Sequence, residues 1–255
     1  MSLIKTTPEI SLIRDSSHIL AKVLYEMASR TIAGVTTGEL DAFATARIHK
    51  LGGEPSFFAY QPSRHEKPFP SASCISINDE VVHAPAFPSR TLKQGDVVGI
   101  DLGVRYKGWC SDMAVTVGVG EMSAEARKLV SVTRDALDKG MAAVRDGAHV
   151  SDISKAVQNY AERFGYGVVR DLVGHGIGRN LHEDPKIPNF VGGGFQDVVL
   201  KEGMVICIEP MVTAGDWRVK TLNDGWTVST VDSSLGAHFE HTFVVTKNGF
   251  ELLTV

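Results

Sequence analysis

Asp101, Asp112, His175, Glu209 and Glu240 are spread over most of this 255-residue chain, yet their side chains could act together in one place. Each lies at or beside the end of an apolar run. Asp101 closes Val97-Val98-Gly99-Ile100, Glu209 closes Met204-Val205-Ile206-Cys207-Ile208, and Glu240 opens a run ending in Phe243-Val244-Val245. A carboxylate set against buried strands must be paired, neutralised or bound to a cation. No Lys or Arg adjoins any of the four acids in the sequence. Cations, two of them, are therefore the expected partners.

The donor types narrow the metal. Four carboxylates with one imidazole suit manganese, iron or cobalt better than the thiolate-rich or His-rich sets typical of zinc. Carboxylates that bridge can hold two ions about 3.5–4 Å apart, and such a pair lowers the pKa of a shared water and polarises a carbonyl. Metal-dependent hydrolysis is the chemistry this predicts. Taken singly, an Asp at a strand end is a turn former or helix cap, and a lone His is a packing or surface residue. Their joint occurrence carries the expectation. Cys207, two residues before Glu209, reads as core rather than ligand.

Two further segments bear on the site. In Gly174-His175-Gly176-Ile177-Gly178-Arg179 the glycines let backbone approach closely or adopt positive φ. His182 follows seven residues after His175, so both imidazoles reach one place if the segment folds back. A phosphate loop is disfavoured, because neither a GK[ST] ending nor a helix signal follows. His83 ends Asn78-Asp-Glu-Val-Val82 and could act as proton shuttle or substrate partner, although by itself it resembles a loop histidine.

The elements that must position these residues repeat along the chain. Lys93-x-Gly95-x-Val97-x-x-Ile100-Asp101 matches Lys201-x-Gly203-x-Val205-x-x-Ile208-Glu209, a glycine turn and then a buried strand finishing on an acid. Asp112 and Glu240 each lead into another strand. Upstream, apolar residues recur at helical spacing from Pro8 to about Ile32, and Thr37 is placed to cap a second helix that runs to Gly52. Ser123 and Ser151 are placed to cap two more, ending near Val144 and Gly165. Gly34/Gly147, Leu40/Ile153 and Gly52/Gly165 share one offset. An internal duplication follows: two α+β halves, about 8–120 and 121–250, related by a pseudo-twofold axis within one domain spanning 1–255.

Composition excludes several classes. A net charge of −4 and 22% charged residues offer no basic surface for nucleic acid. No apolar run is long enough for a membrane span. The opening MSLIKTTPEISLIRDS lacks the apolar stretch of a secretion signal. Three scattered cysteines, Cys74, Cys110 and Cys207, do not form a disulfide framework and fit a reducing cytoplasm.

With these motifs in place the chain resembles the type I methionine aminopeptidases over nearly its whole length. The resemblance rests on Ser76-Ile-Asn78-Asp-Glu-Val-Val-His83, on Ile100-Asp101 with Asp112 eleven residues on, and on Gly174-His175-Gly-Ile-Gly-Arg179 with His182. Ile208-Glu209-Pro210-Met211 and Phe239-Glu240-His241-Thr242 complete it. It implies an α+β pita-bread fold of the creatinase/aminopeptidase kind, a pseudo-twofold curved antiparallel sheet flanked by helices. It also implies removal of the initiator Met from nascent polypeptides by a cytoplasmic monomer, with the ribosome as a further candidate partner. Asp112 and Glu240 would bridge two divalent ions, Asp101 completing one set and His175 with Glu209 the other. His83 and His182 would contact substrate and Glu209 would carry a proton. Tyr60, Phe69, Cys74 and Trp226 would line the Met side-chain pocket.

Three departures from the family pattern concern specificity. Ala84-Pro85 stands where a Gly-Ile pair is usual, Gln61–Pro68 looks like a short charged insertion, and Leu181 stands where an aromatic is common. Two alternatives share the ligand set: an Xaa-Pro peptidase, which usually carries an added N-terminal domain, and a homologue that has lost catalysis and serves as a binding module.

Overall fold

The computed structural model describes residues 2–63, 67–192 and 194–255. Helices begin where short polar side chains take up the free N–H groups of a first turn. Helix α1 spans Thr7–Ala28 and α2 Thr37–Lys50. The cap of α2 is Thr36, not Thr37: Thr36 Oγ1 accepts from the Glu39 N–H at 3.2 Å, and Glu39 accepts from the Thr36 N–H at 2.8 Å. Thr37 turns inward instead and donates to the Ala86 carbonyl at 2.6 Å. Ser123 does cap α3 (Ala124–Ala142). Helix α4 (Val150–Glu162) starts one residue before the expected Ser151 cap. There the His149 N–H donates to Asp152 at 3.0 Å, while the Ser151 hydroxyl donates to Asp197.

Between α2 and α3 run β1 (Glu54–Pro55), β2 (Ser73–Ile77), β3 (Glu80–Val82), β4 (Val97–Tyr106) and β5 (Trp109–Gly118). After α4 come β6 (Gly167–Val168), β7 (Gly174–Gly176), β8 (Glu183–Ile187), β9 (Val205–Ile208) and β10 (Met211–Thr213). The last five are β11 (Val219–Thr221), β12 (Val228–Thr230), β13 (Gly236–His238), β14 (Glu240–Thr246) and β15 (Gly249–Leu252). One nine-stranded sheet runs β1-β4-β5-β14-β9-β7-β8, with β15 beside β14 and β2 beside β4. Every pairing in it is antiparallel. Smaller sheets β13-β10-β6 and β11-β12-β3 adjoin it. The α+β class read from the sequence holds.

Register then decides which side chains meet, because neighbours along a strand face opposite ways. Ile100, Leu102, Val104, Met113, Val115, Ile206, Ile208, Phe243 and Val245 point to one face. There they share a core with Leu20, Leu24 and Met27 of α1 and Leu129 and Leu137 of α3. The opposite face carries the acids. Asp101 stands opposite Ala114 on β5, and Ala114 opposite Glu240 on β14, so the three form a row across the sheet. Asp112 lies two residues from Ala114 on the same face.

The expected strand finishing on an acid holds for Glu209 but not for Asp101. Pro210 has no N–H to continue the ladder, whereas Leu102-Gly103-Val104 continues the buried pattern, so β4 runs five residues past Asp101. The glycines matched by the repeat, Gly34, Gly52, Gly147 and Gly165, all take positive φ, between 82° and 91°. Among the described residues no helix is long and apolar enough to cross a membrane.

Candidate metal centre

All five candidate ligands converge on that polar face and are 2–9% exposed. Glu209 enters from the end of β9 and His175 from β7. Gly176 pairs with Ile206, which turns His175 away from the core side and toward the acids. His175 Nε2 lies 3.8 Å from Asp112 Oδ2, 3.6 Å from Glu209 Oε1 and 3.9 Å from Glu240 Oε1. These separations are too long for hydrogen bonds. Asp101, Asp112 and Glu240 each present a carboxylate oxygen within 4.8 Å of the others.

The glycines around His175 serve close approach rather than positive φ. A Cβ on Gly174 would sit 2.4 Å from the Cys207 carbonyl oxygen, and one on Gly176 would sit 2.1 Å from that of Asp184. Backbone cannot yield to such overlaps, so Gly174 lets β7 lie against β9 and Gly176 lets it lie against β8. The hairpin also folds His182 back onto His175, edge to face with ring centroids 4.4 Å apart. Tyr60 Oη lies 2.5 Å from His182 Nδ1. His83 follows β3 with φ of 61° and lines the same cavity.

Electrostatics argue that this cluster is built for cations. Burial pushes the Asp101 carboxyl up to about 7. Asp112, Glu209 and Glu240 are raised well above the ordinary carboxylate range, first by burial and then by one another's charge. Burial lowers His175 to about 4 and His182 to about 2, leaving both neutral donors of an N lone pair. Asp101 Oδ1, Glu240 Oε1 and His238 Nε2 are buried without a hydrogen-bond partner among the described residues. Four crowded acids, orphaned oxygens and neutral imidazoles fit divalent cations, and no lysine or arginine among the described residues pairs with any of the four acids. Lys186 stands across from His175 on β8 and lines the cavity, a cation that its sequence position did not reveal. Its pull on Glu209 ranks below burial and both Asp charges.

The cavity above the cluster holds about 310 Å³. Its apolar end is walled by Phe57, Tyr60, Phe69, Cys74, Leu181 and Trp226. Phe69 meets Trp226 edge to face at 5.1 Å and Phe57 at 6.4 Å. All four pocket residues expected from the sequence thus line one box, with Cys74 opposite Asp101 on the paired strand. Cys207 stays in the core, its thiol raised by burial and lying 3.3 Å from Thr242 Oγ1. Arg64, His65 and Glu66 of the charged insertion lie outside the described residues.

Supporting residues escaped sequence reasoning. Thr242 Oγ1 accepts from the Asp112 N–H at 3.0 Å and donates to the Asp112 carbonyl at 2.7 Å. Thr116 clamps His238 in the same way, at 2.9 and 2.7 Å. Asn189 donates to the Glu209 carbonyl at 2.9 Å. Replacing Thr242 with Val is expected to destabilise the protein by about 2 kcal/mol, since two buried backbone groups lose their partner. Urea unfolding measures this; a change under about 0.5 kcal/mol would mean that the clamp adds nothing to stability.

Comparison with known proteins follows the same lines. Residues 11–247 match the model of metallopeptidase family M24. The methionine aminopeptidase of Clostridium perfringens is 45% identical, over 100% of this chain and 99% of its own. The crystal structure of methionine aminopeptidase from Thermotoga maritima superposes with a TM-score of 0.91 at 41% identity, covering 98% of both chains. Prolidase from Pyrococcus furiosus also superposes, with a TM-score of 0.78 at 25% identity, but this chain spans only 65% of it.

Proposed function

Since the chain belongs to metallopeptidase family M24, in its methionine aminopeptidase branch, we propose that it removes the initiator methionine from nascent polypeptides with two divalent cations. The supporting observation is one juxtaposition: five O and N donors on the polar face of the sheet, beneath a cavity whose far end is an aromatic box. Residues 1–255 act as one pita-bread catalytic domain. Its halves, about 8–120 and 121–250, supply two acids each, and the second adds His175.

Each side chain then has a role. Asp112 and Glu240, the central pair of acids, would hold both cations, with Asp101 added for one and His175 with Glu209 for the other. Manganese, iron or cobalt, when bound, supplies Lewis acidity toward the scissile carbonyl and lowers the pKa of a water. Phe69, Trp226, Tyr60 and Cys74 receive the Met side chain, whose flexible thioether adapts to aromatic walls. The free amine is turned toward Asp101. His182 donates a hydrogen bond to the carbonyl oxygen as charge develops there. His83, held in a left-handed backbone conformation beside the cavity, orients the peptide. Glu209 takes the proton released by the attacking water and carries it to the leaving amine. The protein works in the cytoplasm, as a monomer, on chains the ribosome delivers.

A Met-Xaa-Ser peptide series assayed with each metal tests this. Small second residues (Gly, Ala, Ser, Thr, Pro, Val) are expected to be cleaved, with kcat/KM at least ~100-fold lower for Leu or Phe because bulk beside the cations costs transition-state binding. Cleavage of Xaa-Pro peptides alone would assign the chain to the prolidase-like activity instead. Absence of both tight metal binding and hydrolysis would make it a binding module.

A further inference from the structure

His238 is not among the five proposed ligands, although its ring stands with Glu209 and Glu240 in a group whose donor atoms lie within 4.8 Å of one another; it is only 3% exposed, and among the described residues its Nε2 has no hydrogen-bond partner. Its backbone cannot move to find one. Thr116 holds both its N–H and its carbonyl, and β13 pairs His238 with Met211, two residues after Glu209. The backbone that carries the ring is therefore held from β5, the strand that carries Asp112, and from β10, which begins two residues after Glu209. What it faces is Glu209. Its Nε2 lies 3.7 Å from Glu209 Oε2, while Glu209 Oε1 lies 3.6 Å from His175 Nε2. Two oxygens of one carboxylate thus address two different imidazoles.

We infer that His238 is a positioning residue for Glu209: in the loaded site its Nε2–H donates to Oε2 and holds the carboxylate so that Oε1 is the oxygen offered to a cation beside His175. An ionised carboxylate only accepts, so the imidazole must be the donor. A charge-assisted bond of this kind is shorter and stronger than a neutral one, and closing the present gap takes less than about 1 Å of side-chain movement. Outer-shell partners that orient a metal-binding carboxylate typically matter roughly 10- to 100-fold in affinity or turnover. This inference rests on reading Glu209 as a ligand and proton carrier.

The test compares His238→Gln, which keeps an N–H donor at similar reach, with His238→Leu and His238→Asn, which lack the donor or the reach. Mn²⁺ affinity is measured by calorimetry on each protein, and kcat and KM on Met-Ala-Ser. The Leu and Asn variants are expected to bind Mn²⁺ about 10- to 100-fold more weakly, with kcat falling in parallel and KM within about twofold, as loss of a transition-state contribution requires. The Gln variant should recover most of both. Should the Leu variant fail to melt cooperatively, the Gln–Asn contrast decides. Wild-type Mn²⁺ affinity in the Leu or Asn variant, or a Gln variant as impaired as those, overturns the inference. Glu209→Gln in the same titration separates the two ideas: unchanged affinity there defeats the ligand role of Glu209, whereas lost affinity there with intact affinity in His238→Leu defeats only the role of His238.

Discussion

Replacing Glu209 with Gln is expected to lower kcat on Met-Ala-Ser by at least ~10³-fold while the protein still folds. The lower bound follows from the two duties assigned to this side chain. A positioned acid–base group contributes roughly 10²- to 10⁴-fold, and the amide is also a poorer cation ligand than a carboxylate. Folding should survive because Gln keeps the shape, and Asn189 holds the Glu209 backbone carbonyl rather than its side chain. The variant also removes one of four crowded acids, so in chelator it should melt no lower than the parent. His175→Ala should lose activity similarly, by taking away the imidazole that faces three of the acids. A kcat within about tenfold of wild type for Glu209→Gln, at saturating manganese, would falsify the catalytic assignment.

The residues of this site were legible because strand chemistry advertises them. An acid beside four or five buried apolar residues is costly without a partner, and four such costs in one chain point to a shared remedy. The glycines beside His175 were legible for a related reason, since tight backbone contact admits no Cβ; the sequence left open whether they served contact or positive φ, and the 2.1 Å and 2.4 Å overlaps settle it for contact. Helix starts were read one or two residues late because Thr36-Thr37 and His149-Val150-Ser151 each offer adjacent cap candidates, and the choice depends on tertiary demands. Thr37 is drawn to Ala86 and Ser151 to Asp197, neither visible from local pattern.

What stayed hidden depends on register across strands far apart in the chain. Thr242 supports Asp112 across 130 residues, and Lys186 enters the cavity only because β8 pairs with β7. His238 reads as an ordinary strand-end histidine until β13 is placed on β10. Such partners carry no composition signal of their own. They become visible when the sheet fixes which faces coincide, which is why the ligands could be named from the sequence and their supports could not.

In chelator the folded protein is expected to lose stability as pH rises from 7 to 8, and with manganese bound that slope should vanish. The sign follows from the raised carboxyls. Asp101 is pushed up to about 7 and Asp112, Glu209 and Glu240 well above their ordinary values, so the native state holds protons that the unfolded chain has released. Stability then falls with pH by about 1.4 kcal/mol per unit for each carboxyl that still keeps its proton. Below about pH 6.5, the ordinary histidine value, the imidazoles oppose this trend. His83 and His175 are lowered to about 4, His238 to about 3 and His182 to about 2, so the unfolded chain binds protons there that the native state refuses, and their contribution to stability falls on acidification. Above that point those imidazoles are neutral in both states and the acids dominate up to about pH 8, beyond which the buried Cys74, Cys110 and Cys207 thiols, raised by burial, add a slope of the same sign. Bound cations stabilise the ionised form of all four acids, which removes the proton difference, and they add their own binding free energy to the native state. Urea midpoints between pH 7 and 8, with EDTA and with Mn²⁺, read both slopes. A chelated protein whose stability is flat or rising over that interval would mean the four acids are not held protonated together, and the electrostatic case for a paired cation site would fail with it.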